Sequence, residues 1–234
     1  MDLASKIAIV TGASRGSGAA FSTALIEKGG IVYGIARNIQ PMYKLQQQLG
    51  KHFVPVVLDV SDQTAVKTWI ENTFSENHSP NILINNAGAG YFGKIDELPT
   101  EQWLQMINTN LNAVFYLTSA VVPLMKKSKI SSHIINIGSI LGKVSGSEKS
   151  GYSATKFGVQ GFSDALFKEL RGDNIKVSCI NPGSIDTPFF ETSGIVPNEK
   201  MLQPKALADI LIQVLETPDN VLIDELTVRP LNTH

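Results

Sequence analysis

Short apolar runs alternate with amphipathic stretches along most of the chain. The runs are rich in β-branched residues and poor in polar ones, which is typical of strands buried on both faces of a parallel sheet. The stretches between them are long enough for helical crossovers. This alternation predicts an α/β fold with one doubly wound, seven-stranded parallel sheet, helices on both faces and right-handed connections. The predicted strands are Lys6–Val10, Ile31–Ala36, Phe53–Leu58, Ile82–Asn85, His133–Ile137, Lys176–Ile180 and Leu226–Val228.

Length and charge narrow the functional classes. The 234 residues are enough for one full core, and no repeat or linker divides them, so we expect one domain over residues 1–234. The formal net charge is −1 and the basic residues are scattered, which argues against a nucleic-acid partner. No apolar run reaches the length of a membrane span, and the first residues lack the basic start of a secretion signal. We therefore expect a cytoplasmic protein with no membrane partner.

Cysteine and histidine do not suggest reactive or metal chemistry. The one cysteine, Cys179, falls in a predicted strand, where we expect a buried and inert thiol. The four histidines do not cluster with carboxylates at metal-ligand spacing. The sequence therefore predicts no catalytic metal.

A glycine-rich turn follows the first predicted strand. The segment Thr11–Gly18 reads Thr-Gly-Ala-Ser-Arg-Gly-Ser-Gly and leads into a helical pattern. Glycines permit a tight turn and let the backbone approach a ligand, while a helix N-terminus presents free N–H groups to phosphate. The position directly after a strand favours a pyrophosphate site over a merely structural turn. The spacing Gly-x-x-x-Gly-x-Gly differs from the common dinucleotide fingerprint Gly-x-Gly-x-x-Gly.

Tyr152 and Lys156 form the most informative pair in the chain. They are four residues apart in a predicted helix and follow Ser139 by thirteen residues or more. Residues at i and i+4 share one helix face, so we expect the Lys156 ammonium to lie near the Tyr152 phenol and to lower its pKa from the ordinary value of about 10. Such a pair is typical of an acid for proton transfer, although Tyr-x-x-x-Lys also arises by chance in many helices.

Taken together, these residues resemble the short-chain dehydrogenase/reductase family from about Lys6 to Val228. Five separated motifs match in order, and their agreement by chance is remote. The resemblance implies a Rossmann-like single domain and an oxidoreductase activity. The matching motifs are the Thr11–Gly18 turn, Asn85-Asn86-Ala87-Gly88, Asn110, Ser139 with Tyr152 and Lys156, and Asn181-Pro182-Gly183 with Thr187.

The resemblance also implies a role for each catalytic candidate. Tyr152 would donate a proton during carbonyl reduction and accept one during alcohol oxidation. Ser139 would hydrogen-bond the substrate oxygen. Lys156 would bind the nicotinamide ribose besides lowering the phenol pKa. Asn110 would hold, through its backbone or side chain, a water that links Lys156 to solvent.

The residues after the second predicted strand favour NADP(H) over NAD(H). Enzymes that use NAD usually carry an acidic residue about 20 residues beyond the glycine turn. Here Ala36 holds that place, Arg37 follows it, and Arg15 lies inside the turn, so two guanidinium groups could bind a 2′-phosphate. The alternative of two solvated arginines leaves the missing acid unexplained.

The expected cofactor contacts extend along several strand ends. By resemblance, Asp59 and Val60 would hold the adenine, the Asn-Ala-Gly turn the centre of the cofactor, and Ile185 and Thr187 the nicotinamide carboxamide. For Asp59, a polar strand end is a serious alternative. The full expected set is Gly12, Ser14, Arg15, Gly16, Ser17, Gly18, Arg37, Asp59, Val60, Asn86, Ala87, Gly88, Tyr152, Lys156, Pro182, Gly183, Ile185 and Thr187.

Apolar residues near the last motif suggest the substrate class. The segment at about 187–201 is expected to form a short mobile lid with Phe189, Phe190, Ile195 and Val196. An apolar lining suits a hydrophobic or aromatic ketone or aldehyde, although these residues could instead only pack the lid onto the sheet. Tyr91 and Phe92 could line the same cleft. The expected substrate contacts are Ser139, Tyr152, Tyr91, Phe189 and Phe190.

These features favour an NADPH-dependent carbonyl reductase acting on a small-molecule carbonyl or alcohol. One alternative is a 3-oxoacyl-[acyl-carrier-protein] reductase, which could dock its acidic carrier on a group of basic residues. Another is a non-catalytic dinucleotide sensor or scaffold, which the intact catalytic set argues against. The basic residues are Lys126, Lys127, Lys129, Lys168 and Arg171.

The sequence departs from the family pattern at two places, and one of them bears on assembly. Ser17 replaces the usual branched apolar residue of the glycine turn, and Leu226–His234 lacks the glycine-rich segment typical of tetrameric acyl-carrier-protein reductases. The second departure weakens both the tetramer and the fatty-acid hypothesis. The helices predicted at Trp103–Met125 and Tyr152–Leu170 carry apolar faces, and the resemblance implies that these pair with their copies in a second subunit. We therefore expect a homodimer at least, with a homotetramer as the alternative.

Overall fold

The computed structural model describes residues 1–128, 130–192, 198 and 200–231. Within them lie seven strands and seven α-helices, and two of these helices follow one another between the fourth and fifth strands. The strands are β1 (Ile7–Thr11), β2 (Ile31–Ala36), β3 (Phe53–Val57), β4 (Ile82–Asn85), β5 (Ser132–Ile137), β6 (Ile175–Pro182) and β7 (Glu225–Val228). The helices are α1 (Gly16–Glu27), α2 (Ile39–Leu49), α3 (Gln63–Thr73), α4 (Thr100–Ile107), α5 (Ala113–Ser128), α6 (Ser150–Leu170) and α7 (Pro204–Leu215).

The strands form one sheet in the order β3-β2-β1-β4-β5-β6-β7, and every neighbouring pair is parallel. The order reverses between β1 and β4, which is the kind of position where ligands bind in such sheets. The predicted doubly wound parallel fold is therefore confirmed. The largest boundary difference is in β6, which continues through Asn181 and Pro182 because these residues still pair with the edge strand β7.

Both faces of the sheet are buried, as the apolar runs predict. Along β1, Ala8 and Val10 face a core built with α1, α2 and α7, whereas Ile9 between them faces a second core built with α3, α5 and α6. Alternate side chains of a strand point to opposite faces, so one apolar strand contributes to both layers. None of the helices in the described residues is both long and apolar enough to cross a membrane.

A π-helical turn interrupts the long helix that the sequence predicts over Trp103–Met125. It covers Asn108–Asn112, between α4 and α5, and contains the buried Asn110. Such turns are rare and often occur at functional sites. Here the turn packs against α6 and lies beside the cleft described next.

Candidate active site

A cavity of about 400 Å³ opens at the carboxyl ends of the strands. Residues from the ends of β1, β2, β4, β5 and β6 contribute to its wall, together with α6. Most of the sequence-predicted site residues therefore meet in one cleft. Those on its wall are Gly12, Ser14, Arg15, Gly16, Ser17, Arg37, Asp59, Val60, Asn86, Ala87, Gly88, Ser139, Tyr152, Lys156, Pro182, Gly183, Ile185, Thr187, Phe189 and Phe190.

The glycine turn folds tightly enough to form one end of the cleft. Gly12 has a φ of 65°, in the region that favours glycine, and a Cβ built on Gly18 would overlap the Gly12 carbonyl oxygen. Gly18 itself is off the cavity wall, so its part in the site is to let the turn close. Arg15 is the N-cap of α1 and makes no side-chain cap hydrogen bond, and the first helical residues, Gly16 and Ser17, lie on the cleft wall.

The Asn-Asn-Ala-Gly segment is tied to this turn by one hydroxyl group. Thr11 Oγ1 accepts hydrogen bonds from the backbone N–H groups of Asn86 and Ala87, both at 2.9 Å. The Asn86 side chain donates back to the Thr11 carbonyl oxygen at 2.8 Å. The ends of β1 and β4 are thereby held in a fixed relation at the point where the sheet order reverses.

The adenine end of the predicted site is positively charged apart from one carboxylate. Ala36 and Arg37 lie on the wall where β2 ends, and Arg15 lies on the neighbouring turn. Burial of Asp59 works against its ionisation, but two hydrogen bonds from Ser61 and the charge of Arg37 outweigh this and lower its pKa. Two arginines and an alanine at the expected acidic position provide the charge that a phosphate needs.

Ser139, Tyr152 and Lys156 converge at the other end of the cleft. Tyr152 is buried and hydrogen-bonded to the Ser139 side chain. Lys156 Nζ donates to the Ile137 carbonyl oxygen at 2.7 Å and lies 5.8 Å from the centre of the Tyr152 ring. The predicted grouping of these three side chains is therefore present in the fold.

The expectation that the pKa of Tyr152 is lowered was wrong. Burial raises the pKa of Tyr152, and the Ser139 hydrogen bond offsets only part of that rise. Burial also lowers the pKa of Lys156 to about 8. The physical reason is that both groups are out of water and that the ammonium bonds a backbone carbonyl instead of the phenol oxygen.

Asn110 is engaged more fully than the sequence suggests. Its side-chain oxygen accepts from Ala89 N at 2.8 Å, and its amide donates to Ala89 O at 2.9 Å and to Thr155 Oγ1 at 3.0 Å. Both amide hydrogens thus have protein partners. The side chain thus joins α6 to the segment after β4, and the water that would link Lys156 to solvent stays a prediction.

Aromatic side chains surround the phenol. The rings of Phe92 and Phe189 have their centres 5.6 Å and 5.7 Å from that of Tyr152. Phe190 packs edge-on against Phe189. The prediction that Tyr91 lines the cleft was wrong, because its hydroxyl points away to Gln105 at 2.8 Å and the adjacent Phe92 occupies the wall.

The predicted lid is described only in part. A short 3-10 helix at Pro188–Thr192 carries the two phenylalanines, and Leu202 pairs with Ser184 and Asp186 at the base of the segment. Ile195 and Val196 lie outside the described residues. The base of this segment is thus pinned to the end of β6.

Several wall residues escaped the sequence reasoning. Lys149, Ile140, Leu141 and Thr109 all contribute to the cleft. For Lys149 a signal existed, since it precedes Tyr152 by three residues and i, i+3 positions share a helix face. Among the described residues no group of three or more potential metal-ligating side chains occurs.

Comparison with known proteins gives consistent matches over nearly the whole chain. The family described as short chain dehydrogenase matches residues 6–195. An uncharacterized oxidoreductase of Staphylococcus aureus is 35% identical over 231 residues, which is 98% of this chain and 99% of that protein. The closed form of a serine dehydrogenase complexed with NADP+ has a TM-score of 0.88 and 30% identity, covering 97% of this chain and 99% of that one. An alcohol dehydrogenase from Thermococcus sibiricus, complexed with 5-hydroxy-NADP, has a TM-score of 0.87 and 26% identity, with 98% of each chain covered.

Proposed function

Because the chain belongs to the short-chain dehydrogenase family, we propose that it is an NADPH-dependent oxidoreductase that reduces a ketone or aldehyde to an alcohol. One observation carries the proposal: Ser139, Tyr152 and Lys156 share a single cleft with the glycine turn. A hydride donor held at that turn and a proton donor at Tyr152 are the two components that carbonyl reduction needs.

The cleft fits NADP(H) on three grounds. The close approach of Gly12 and Gly18 leaves a backbone cradle for a pyrophosphate. Arg15 and Arg37 lie on the wall where an acidic residue would select NAD. Solved relatives at 30% and 26% identity hold NADP+ and 5-hydroxy-NADP. When bound, the reduced nicotinamide supplies the hydride, and Lys156, Ile185 and Thr187 are the residues expected to hold that end of the cofactor.

Tyr152 is suited to donate the proton. Its pKa is above the ordinary value of about 10, so the phenol holds a proton to donate at neutral pH. The Ser139 hydroxyl, hydrogen-bonded to Tyr152, would direct the substrate oxygen to the same place. Lys156, with a pKa of about 8, is mainly an ammonium at neutral pH and would stabilise negative charge that develops on the phenol oxygen.

Tyr152→Phe tests this proposal. The variant loses the acidic hydrogen and keeps the ring packing against Phe92 and Phe189. Turnover of NADPH with a panel of ketones and aldehydes should fall roughly a thousandfold, while NADPH binding measured by fluorescence stays close to wild type. Tyr43→Phe, at an exposed tyrosine on α2, is the matched control. A folded Tyr152→Phe protein with the turnover of Tyr43→Phe would contradict the proposed donor.

A second candidate substrate class is a hydroxy acid or oxo acid. Lys149 is half-buried on the wall of the cleft, and its ammonium has no hydrogen bond or ion pair with the part of the chain that the structure describes. A carboxylate on the substrate would provide the missing partner. The similarity to a serine dehydrogenase, whose named substrate carries a carboxylate, also favours this class.

Paired substrates separate the two classes. An aromatic 3-oxo acid and its methyl ester would be compared in the wild type, in Lys149→Met and in Lys127→Met, which changes an exposed lysine on α5. An oxo-acid enzyme should prefer the acid about tenfold or more, and Lys149→Met alone should remove that preference. Equal rates with acid and ester in the wild type would favour the neutral hydrophobic carbonyl.

The structure gives less support to the alternative of a 3-oxoacyl-[acyl-carrier-protein] reductase. Lys126 pairs with Asp173 at 2.7 Å and Lys168 pairs with Asp164 at 2.7 Å, so two of the proposed docking charges already have acidic partners. Lys129 lies outside the described residues. The sensor alternative predicts NADPH binding without consumption, which the substrate panel would detect.

We also propose a homodimer formed through α4, α5 and α6. Large apolar side chains remain exposed on these helices, among them Leu104, Phe115 and Phe157. Burying such side chains against a second copy would be favourable. Light scattering at micromolar protein should give about twice the chain mass of 25.3 kDa.

A further inference from the structure

The turn that carries Ser139 is attached to the sheet through a buried amide. Asn181, fully buried on β6, accepts a hydrogen bond from the Ser139 backbone N–H at 3.0 Å through its side-chain oxygen. A Cβ built on Gly138 would overlap that oxygen, so glycine is required for the contact. The position of Asn181 therefore sets the position of the Ser139 backbone.

The NH₂ group of the Asn181 side chain begins a series of hydrogen bonds that ends at Glu225. Its Nδ2 donates to Gln160 Oε1 at 2.7 Å, and Gln160 Nε2 donates to Glu225 Oε2 at 2.9 Å. Gln160 lies four residues after Lys156 on α6, and Glu225 is the first residue of β7. These side-chain hydrogen bonds thus connect β6, α6 and β7.

The chain of bonds closes on the turn where it began. Lys143 donates to the second oxygen of Glu225 and lies four residues after Ser139. Between them, the turn is held by bonds from Gly142 N to Ser139 O at 2.8 Å and from Leu141 N to Ser139 Oγ at 3.1 Å. We call this closed set of Ser139, Asn181, Gln160, Glu225 and Lys143 the serine clamp.

The direction of the bonds in the serine clamp is determined at its ends. A backbone N–H can only donate, and an ionised carboxylate can only accept. Asn181 must therefore turn its oxygen to Ser139 and its NH₂ group to Gln160. Gln160 must turn its oxygen to Asn181 and its NH₂ group to Glu225. Because neither amide can flip without losing bonds at both sides, the carboxylate of Glu225 orients the amide that holds Ser139.

We propose that Asn181, Gln160 and Glu225 are positioning residues that keep Ser139 in place beside Tyr152. The proposal rests on the proposed function, in which Ser139 directs the substrate oxygen. None of the three touches the reacting atoms in this assignment, because the clamp acts through the backbone of the Ser139 turn.

Gln160→Met tests the clamp at its centre. The substitution keeps side-chain length and removes both hydrogen bonds. We expect kcat for carbonyl reduction to fall by about tenfold to a hundredfold, because even a distant mutation can cost that much when it displaces a catalytic group. The affinity for NADPH should stay as in the wild type. Hydrogen exchange of the amides at 138–143 should become faster. Asp209→Ala, which breaks the exposed Lys205–Asp209 pair on α7, is the control and should change neither quantity.

Two further variants separate positioning from general destabilisation. Glu225→Gln can still accept from Gln160, so it should retain more turnover than Glu225→Ala. In a Ser139→Ala background, Gln160→Met should cause almost no further loss, because the clamp acts only through Ser139. A Gln160→Met protein that matches Asp209→Ala, or one that loses the same factor with and without Ser139, would overturn the proposal.

Failure of the proposed function has a different signature. If the wild type consumes no NADPH with any carbonyl, or if Ser139→Ala keeps full turnover, the role given to Ser139 is wrong and the clamp proposal falls with it. If Ser139→Ala is impaired and the clamp variants are not, only the clamp is wrong.

Discussion

Two lysines at opposite ends of the sheet are similarly buried but differ in their hydrogen bonds. Lys156 beside the cleft is 5% exposed, and Lys176 at the start of β6 is 7% exposed. Lys176 Nζ lies 2.6 Å from both Pro218 O and Val221 O, with Thr217 O and Oγ1 at 3.4 Å and 3.3 Å. Within the described chain, Lys156 Nζ has one acceptor, Ile137 O.

The difference distinguishes a structural ammonium from one that is available to a ligand. An ammonium has three hydrogens to donate. The protein satisfies those of Lys176 with carbonyl oxygens of the loop after α7, so this lysine fastens the loop. Lys156 keeps donor capacity at the cleft wall, where burial lowers its pKa to about 8.

The sharpest test of this contrast is Lys156→Met. We expect kcat/KM for NADPH-dependent reduction to fall roughly a hundredfold to a thousandfold, because charge stabilisation at Tyr152 is lost. The midpoint of thermal unfolding should be unchanged or higher, since a buried and poorly bonded charge is replaced by an apolar chain. Activity close to wild type, or a marked loss of stability, would contradict the functional role of Lys156.

His133, at the amino end of the sheet next to Lys176, allows a test of how stability depends on pH. It is fully buried on β5, with Nε2 2.8 Å from Ser178 Oγ and with Nδ1 without a partner among the described residues. Burial and the charge of Lys176 lower its pKa to about 3. Because the unfolded chain binds a proton near pH 6.5 and the folded protein near pH 3, the stability present above pH 6.5 is lost as the pH falls between these values.

The expected slope for this histidine is about 1.4 kcal/mol per pH unit in that window. His133→Gln keeps a hydrogen-bonding side chain and removes the titration. Urea unfolding between pH 7 and pH 4 should therefore show a shallower loss of stability in the variant than in the wild type. Parallel curves would mean that His133 is not the group responsible.

Lys176→Met is the counterpart of Lys156→Met. Removing the ammonium leaves the carbonyl groups of Pro218 and Val221 without this donor, and we expect a loss of about 1–3 kcal/mol in the free energy of unfolding. Steady-state turnover at a temperature well below unfolding should remain near wild type. If activity fell as far as in Lys156→Met, the contrast between the two ends of the sheet would not hold.

A change of cofactor preference at the carboxyl end of the sheet should have the smallest effect on stability. Ala36→Asp combined with Arg37→Ile should shift the ratio of kcat/KM from NADPH towards NADH by a factor of tens or more, because each charged hydrogen bond that is formed or removed contributes about 1.5–3 kcal/mol. Arg15 remains and should retain part of the NADPH affinity. A wild-type enzyme that already prefers NADH would show that Arg37 does not bind the phosphate. Stability should not change, since Arg37 is exposed.

Much of the fold and of the site was predictable because the signals are local. Strands buried on both faces are almost continuously apolar, so the runs around Ile9 and Ile84 can be recognised from the sequence alone. The glycine turn and the Tyr152–Lys156 spacing are equally local. Parallel strands then bring the residues at their carboxyl ends to one edge, whatever the distance along the chain.

Other features depend on contacts between residues far apart in the sequence, which no local pattern predicts. Helical spacing brings Lys156 to the correct face of α6, but its hydrogen-bond acceptor, Ile137 O, belongs to β5. Phe92 lies on the wall instead of Tyr91. The loop after β4 has no regular secondary structure, so no periodicity of the sequence shows which of the two side chains faces the cleft. The serine clamp joins residues up to 82 positions apart.

The sequence by itself determined the parallel sheet, the cleft at its carboxyl edge and the chemical character of the side chains there, since each follows from periodicity and residue type. Only the tertiary structure decided how the buried polar groups are satisfied. Lys176 is saturated by carbonyl oxygens, Lys156 is not, and Asn181 is oriented by a distant carboxylate. The physical reason is that hydrogen bonding and burial depend on which atoms meet in space, and these set the pKa values on which the proposed chemistry depends.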